Sequence, residues 1–145
     1  MGKVSIYLNF PGTTEKAFEF YRSVFGGSFT NGISRFGDIP PSPDMPPVPE
    51  DVKQMILHIE LPILGGLVLM GTDSSESMGF SLVQGNNVHI NLEPDTRLET
   101  LELFHALAEG GHIEQELSDM FWGAYYGSCI DRFGIHWMFN CTESV

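Results

Sequence analysis

The chain has 145 residues, of which 19 are acidic and 7 basic, so its formal net charge is −12. A surface of this sign repels phosphate backbones and anionic lipids, which argues against binding to nucleic acid or to a membrane. The hydrophobic share of 42% is typical of a globular protein, and the length suffices for one domain with a sizeable core.

The start of the chain and its cysteines favour an ordinary intracellular domain. The opening MGKVSIYLNF lacks the apolar run of a signal peptide, and no segment reaches the length of a membrane span. We therefore expect a cytoplasmic protein. Cys129 and Cys141 are the two cysteines, and without a secretory context we expect both to be free and buried.

The first half of the chain predicts one helix among several strands. Val4–Phe10 predicts a half-buried strand, because its polar and apolar residues alternate. A helix should begin at Thr13 or Thr14, which can cap its first turn, and end at Gly26 and Gly27. Further strands are predicted over Ser28–Phe36, Gln54–Leu61 and Leu64–Thr72.

The second half repeats this order after a polar, glycine-bearing linker over residues 74–86. A strand begins at Val88, and Thr96 with Glu99 forms a capping box at the start of a helix. Short strands are then predicted over Ile113–Leu117, Ala124–Ile130 and Ile135–Cys141.

An internal repeat relates the two halves. Val88–Gly111 aligns without a gap on Val4–Gly27, with seven of the 24 positions identical. Such self-similarity indicates duplication of one structural unit. We therefore predict a single domain over residues 1–145, with one module over 1–73, the linker over 74–86 and a second module over 87–145.

A proline-rich segment interrupts the first half. Residues 39–50 contain six of the nine prolines, which predicts a long loop leaving the sheet that covers a cleft. The alternative interpretation is a ligand for SH3 domains, but the segment has little basic flank beyond Arg35, and acidic residues surround it.

Two motifs resemble the vicinal oxygen chelate superfamily, which includes glyoxalase I, bleomycin-resistance proteins and extradiol dioxygenases. They are YLNFPGTTEKAFEFYRSVFGG near the start and FWGAYYGSCIDRFGIHWMFN near the end. Within the superfamily the chain is most similar to the PhnB-like group. Some members of that group carry a 3-demethylubiquinone methyltransferase label. We do not expect that activity, because the chain has no glycine-rich motif for S-adenosylmethionine.

The resemblance implies an α+β fold. Two βαβββ modules in a pseudo-twofold arrangement would form a curled mixed sheet, and together they would enclose a cup-shaped pocket for a small molecule. It also implies a homodimer, because modules in this superfamily often complete their cups across chains.

The resemblance further implies where a metal would bind. In metal-dependent relatives the ligands come from the first and last strands of each module, and these places fall near Ser5, Met70, His89 and Met138. Only His89 has a suitable side chain, since methionine favours soft ions. We therefore expect no metal and no other cofactor. The alternative is an unorthodox site formed by His58, His89 and His136 with Glu60 or Glu93.

The alternation of the strands predicts which side chains line the pocket. Polar and aromatic residues should collect on the faces turned away from the helices, a mixture typical of small-molecule sites. The predicted ligand-binding residues are Tyr7, Asn9, His58, Glu60, Met70, Asn91, Glu93, Trp122, Tyr126, His136, Met138 and Asn140.

Two of the predicted roles leave alternatives open. His89 is the candidate catalytic residue, as a general base, because the pKa of histidine lies near neutrality. The alternative interpretation, which the sequence favours, is a histidine hydrogen-bonded within a partly buried sheet. Trp122 and Tyr126 are interpreted as closing the mouth of the pocket, or as core or dimer contacts.

Three functions remain on this reading. The first is a metal-free protein that binds a small molecule, either to sequester it or to act on it through His89. The second is a metal-dependent lyase, isomerase or dioxygenase. The third is an interaction module that acts through the proline-rich loop.

Overall fold

The computed structural model describes residues 1–145, which form two compact units, residues 1–83 and residues 84–145. Each unit contains one helix of 12 residues and one four-stranded mixed sheet. Neither helix is long and apolar enough to cross a membrane.

The first unit is built in the order strand, helix, strand, strand, strand. Its elements are β1 Ile6–Phe10, α1 Thr14–Phe25, β2 Ser34–Arg35, β3 Ile56–Pro62 and β4 Val68–Asp73. The strand order across the sheet is β1-β4-β3-β2. The β1–β4 pair is parallel, and the other pairs are antiparallel.

The second unit has the same succession of elements. They are β5 Ile90–Leu92, α2 Arg97–Ala108, β6 His112–Asp119, β7 Tyr125–Ile130 and β8 His136–Cys141. The strand order is β5-β8-β7-β6, again with one parallel pair, β5–β8. The α+β class with two βαβββ units, expected from the repeat and the resemblance, is therefore confirmed.

The helix in each unit covers one face of its sheet. In the first unit Phe18 of α1 lies against β4 so closely that a Cβ at Gly71 would be 2.5 Å from its ring. In the second unit the rings of Phe104 and Phe139 meet edge to face at 5.3 Å. Trp137 is fully buried beside them. The opposite face of each sheet carries no helix of its own unit.

A buried aspartate ties the backbone together in each unit. Asp73 accepts hydrogen bonds from the backbone N–H and hydroxyl of Thr14, and from the N–H of Ile56. Asp131 accepts from the N–H of Phe133 and from the indole N–H of Trp137, at 2.8 Å and 2.9 Å. Both aspartates are only 3% exposed, so these hydrogen bonds lie in the interior of each unit.

The two helices are capped differently at their N-termini. Thr96 accepts a hydrogen bond from the backbone N–H of Glu99, as the capping motif predicts. At α1 the Thr13 side chain makes no capping bond. Of the two predicted capping residues, Thr13 is therefore wrong. The helix begins at Thr14, whose backbone N–H donates to Asp73.

The predicted second strand is much shorter in the structure. Only Ser34–Arg35 pairs with β3, whereas the pattern predicts a strand over Ser28–Phe36. Asn31 and Gly32 take positive φ angles of 60° and 73°, which turn the chain and cannot belong to an extended strand. The two cysteines are free and buried, as expected.

Candidate functional site

The face of the first sheet opposite α1 carries a row of side chains from three strands. The register pairs Tyr7 on β1 with Met70 on β4, and Met70 with Glu60 on β3. A second row pairs Asn9 with Thr72. Since directly paired residues lie on the same face, the sheet brings these side chains together.

Tyr7, Glu60 and His58, which lies two residues before Glu60 on β3, form a hydrogen-bonded chain. The Tyr7 hydroxyl lies 3.1 Å from Nδ1 of His58, and Nε2 of His58 lies 3.1 Å from a carboxylate oxygen of Glu60. A neutral imidazole satisfies both contacts if Nε2–H donates to Glu60 and Nδ1 accepts from Tyr7. Glu60 therefore orients His58 and leaves Nδ1 as the acceptor.

The Tyr7 hydroxyl stays protonated near neutral pH. Burial raises the pKa of Tyr7 above its ordinary value of 10.0, and the charge of Glu60 raises it further against an opposing hydrogen bond with Thr72. The ring is half exposed, at 48%. Tyr7 therefore presents both an accessible aromatic surface and a hydrogen-bond donor.

The remaining predicted residues of this unit have simple contacts. Asn9 is exposed, and its amide oxygen accepts a hydrogen bond of 3.2 Å from the hydroxyl of Ser74. The hydroxyl of Ser5 lies 3.6 Å from the sulfur of Met70.

The second sheet carries a comparable polar face. The register aligns Asn91, Met138 and Ser128 across three strands, and pairs Tyr126 with Asn140 in the next row. The amide of Asn140 donates to Glu93 over 3.4 Å. On β8 the alternation is as predicted, because Trp137, Phe139 and Cys141 are fully buried while His136, Met138 and Asn140 keep some exposure.

Three titratable side chains meet at one end of this face. Nε2 of His89 lies 3.2 Å from a carboxylate oxygen of Glu114, and Nδ1 of His136 lies 3.7 Å from the same oxygen. The two imidazole rings are 5.0 Å apart and packed edge to face. The side chain of His136 is only 10% exposed, and its Nδ1 is enclosed without a hydrogen-bond partner.

Glu114 is the functional candidate that the sequence pattern misses. Ile113 pairs with Cys129 and Gln115 with Ser128, so Glu114 is the extra residue of a β-bulge. It lies on β6, an outer strand, and His89 lies beside the other outer strand. Outer strands of a flat four-stranded sheet are ~14 Å apart, so this contact indicates that the sheet curls toward the polar face.

The aromatic residues predicted at a pocket mouth lie close together. Trp122 is in the turn between β6 and β7, 55% exposed, and its ring is 6.1 Å from that of Tyr126. Phe121 is 98% exposed and packs edge to face against Trp122. This cluster is an open aromatic surface of the second unit.

The proline-rich loop forms a groove of its own. A cavity of about 350 Å³ is lined by the loop residues, including Pro40, Met45 and Val48, and by Lys53. None of the predicted ligand-binding residues lines it.

The four metal positions implied by the resemblance do not match a divalent ion. Ser5 and Met70 offer a hydroxyl and a thioether that lie against each other. Met138 offers a second thioether on β8, paired with Asn91. Hard and borderline divalent ions prefer carboxylate and imidazole ligands, and of the four residues only His89 supplies one.

Comparison with known proteins gives consistent matches along nearly the whole chain. The model of the Glyoxalase/Bleomycin resistance protein/Dioxygenase superfamily matches residues 7–139. Protein YjdN of Escherichia coli K12 is 28% identical over 149 residues, which cover 97% of this chain and 95% of YjdN. The crystal structure of protein PA1353 from Pseudomonas aeruginosa is 35% identical with a TM-score of 0.80, covering 97% of this chain and 98% of that one.

A further match concerns the fold alone. The PhnB protein from Bacillus cereus is 24% identical with a TM-score of 0.74, covering 97% of this chain and 99% of its own.

Proposed function

The chain belongs to the glyoxalase/bleomycin resistance protein/dioxygenase superfamily, and from this premise we propose that it binds a small molecule on the polar faces of its sheets. The observation that carries the proposal is the chain of hydrogen bonds from Tyr7 through His58 to Glu60. These groups stand on rigid strands, on the face that α1 leaves uncovered. Polar groups held on rigid strands are positioned precisely enough to select a ligand.

The residues of this face suggest the chemical class of the ligand. The Tyr7 ring and the Met70 side chain offer apolar surface, whereas His58 and Glu60 offer hydrogen-bonding groups. A net charge of −12 disfavours anionic ligands. We propose a neutral or cationic molecule with an apolar or planar part and at least one hydroxyl or amine donor.

One histidine in each unit is proposed as a group that exchanges hydrogen bonds or protons with a ligand bound on its own sheet. Glu60 orients His58, so a ligand hydroxyl that displaces Tyr7 would meet Nδ1 as an acceptor. His89 has the same arrangement with Glu114 in the second unit. A carboxylate that holds one ring nitrogen leaves the other available for general acid–base chemistry.

The proposed function does not use the superfamily's four-ligand metal arrangement. A metal-dependent lyase, isomerase or dioxygenase of that type would need ligands at the places of Ser5, Met70 and Met138. The donor atoms of these residues do not suit the ions concerned. The homodimer, the enclosed pocket and the cytoplasmic location remain predictions.

A thermal-shift screen tests the proposal, since a ligand that binds only the folded protein raises its melting temperature. The probes are neutral and cationic small molecules that bear hydroxyl or amine donors, added to chelator-treated protein. Hits are then titrated calorimetrically into wild-type protein, Tyr7→Phe and His58→Gln. The control is His112→Gln, which makes the same change at an exposed histidine.

We expect His58→Gln to weaken the best hit at least tenfold, corresponding to about one lost polar contact. Tyr7→Phe should bind the hit more tightly, because it removes a hydroxyl that competes for Nδ1. The control should bind like wild type. Hits that bind wild type, His58→Gln and Tyr7→Phe equally would refute the proposed face.

A further inference from the structure

We propose that His89, Glu114 and His136 form a binding site for a divalent transition-metal ion such as Zn²⁺. All three residues belong to the second unit, so the site is complete within residues 84–145. Only His89 is shared with the four positions that the resemblance implies. The inference therefore goes beyond the proposed function and does not depend on it.

The geometry is close to what an ion requires. The candidate ligand atoms lie within 4.8 Å of one another, and two of the separations are 3.2 Å and 3.7 Å. Ligand atoms about 2.1 Å from a tetrahedral zinc ion lie about 3.4 Å apart. Two separations already bracket this value. The third, between nitrogens of the two histidines, is at most 4.8 Å, and rotation of the imidazole rings can shorten it.

The second, independent observation is the state of His136. Its Nδ1 is enclosed and has no hydrogen-bond partner, and the 3.7 Å to Glu114 exceeds hydrogen-bonding distance. Buried polar atoms are almost always paired, so an unpaired imidazole nitrogen beside a carboxylate calls for an explanation. An ion between the two groups would satisfy the lone pair of Nδ1 and the charge of the carboxylate together.

The donor set indicates which ions fit. Two imidazole nitrogens and one carboxylate are typical of zinc sites and of non-haem Fe²⁺ sites, and they leave at least one coordination position open. Mg²⁺ and Ca²⁺ prefer all-oxygen sets, so they should not compete. The side chain of Glu114 is 34% exposed, which gives an ion access from solvent.

A bound ion would change the role of His89. Its Nε2 faces Glu114, so this nitrogen would be a ligand in the loaded protein. The acid–base role proposed above would then fall to His58 alone.

Calorimetric titration of ZnCl₂ into the tag-free, chelator-treated full-length protein tests the site. The variants are His136→Gln, Glu114→Gln and His89→Gln, and the matched control is His112→Gln, an exposed histidine at the start of β6. Circular dichroism checks that each variant is folded. A parallel titration with MgCl₂ tests ion class, and the visible spectrum of bound Co²⁺ reports the ligand geometry.

We expect one equivalent of Zn²⁺ to bind wild type and the control. Loss of one ligand should weaken binding at least tenfold in each folded variant, and Mg²⁺ should not bind. Zinc affinity equal in wild type and in the folded variants would overturn the proposal, as would the absence of a stoichiometric zinc isotherm in wild type. Neither result would affect the conclusion of the ligand screen, which uses chelator-treated protein and variants of the first unit.

Discussion

Replacing His136 with leucine should stabilise the metal-free protein. The imidazole Nδ1 is enclosed without a partner, and the side chain is only 10% exposed. Leucine has nearly the same volume and no polar atom, so His136→Leu removes the unpaired nitrogen without opening a large cavity.

The structure allows the size of this effect to be worked out. An unsatisfied buried polar group costs about 1–3 kcal/mol, which the substitution recovers. Loss of the ring contact with His89, at 5.0 Å between centroids, destabilises the variant by about 0.5–1.5 kcal/mol. The net gain should be about 1 kcal/mol, which corresponds to a melting temperature roughly 3 °C higher for a chain of this length.

Thermal unfolding in EDTA measures the stability of the metal-free proteins, and unfolding with zinc measures the stabilisation by the ion. With EDTA the leucine variant should be the more stable protein. At a zinc concentration of about 100 times the wild-type Kd, wild type should gain about 2.7 kcal/mol. A variant that binds at least tenfold more weakly gains at most about 1.4 kcal/mol, so wild type becomes the more stable protein. The control His112→Leu should stay within about 0.5 kcal/mol of wild type in EDTA, because it is a surface change. A variant destabilised by more than about 1 kcal/mol in EDTA would show that the reasoning about Nδ1 is wrong.

Other substitutions and reagents test the packing of the two units. Asp131→Asn replaces one acceptor oxygen by a donor and should cost about 2–3 kcal/mol, measured by urea unfolding followed through tryptophan fluorescence. A loss below about 0.5 kcal/mol would contradict the role of this carboxylate. Gly71→Ala places a methyl group 2.5 Å from the Phe18 ring and should cost at least ~2 kcal/mol by the same measurement, and an unchanged midpoint would contradict the close packing of α1. Burial raises the pKa of Cys129 to about 12, so this thiol should react with a disulfide reagent at pH 8 only after unfolding. Fast labelling of the native protein would refute its burial.

The regular part of the fold follows from the residue pattern. The internal repeat and the alternation along β8 place His136, Met138 and Asn140 on one face, because a strand turns successive side chains to opposite faces. The repeat also predicts that each unit builds the same succession of elements, and the two sheets have the same strand order.

The pattern fails where the backbone departs from regular geometry or where contacts are long-range. The bulge at Glu114 breaks the alternation of β6, so no periodicity indicates that this carboxylate meets two histidines. Asp73 reaches α1 from 59 positions along the chain, a contact that no local capping rule contains. The positive φ angle of Asn31 turns the backbone and so shortens the second strand, which the alternation of residues does not indicate.

The polar face of the first sheet is the central claim, and one binding constant tests it most directly. The best hit from the ligand screen is titrated calorimetrically into chelator-treated wild type and into Tyr7→Phe/His58→Gln. The account predicts a Kd at least tenfold higher for the double variant, since the imidazole that accepts the ligand's hydrogen bond is gone. Equal affinities for the two proteins would contradict it.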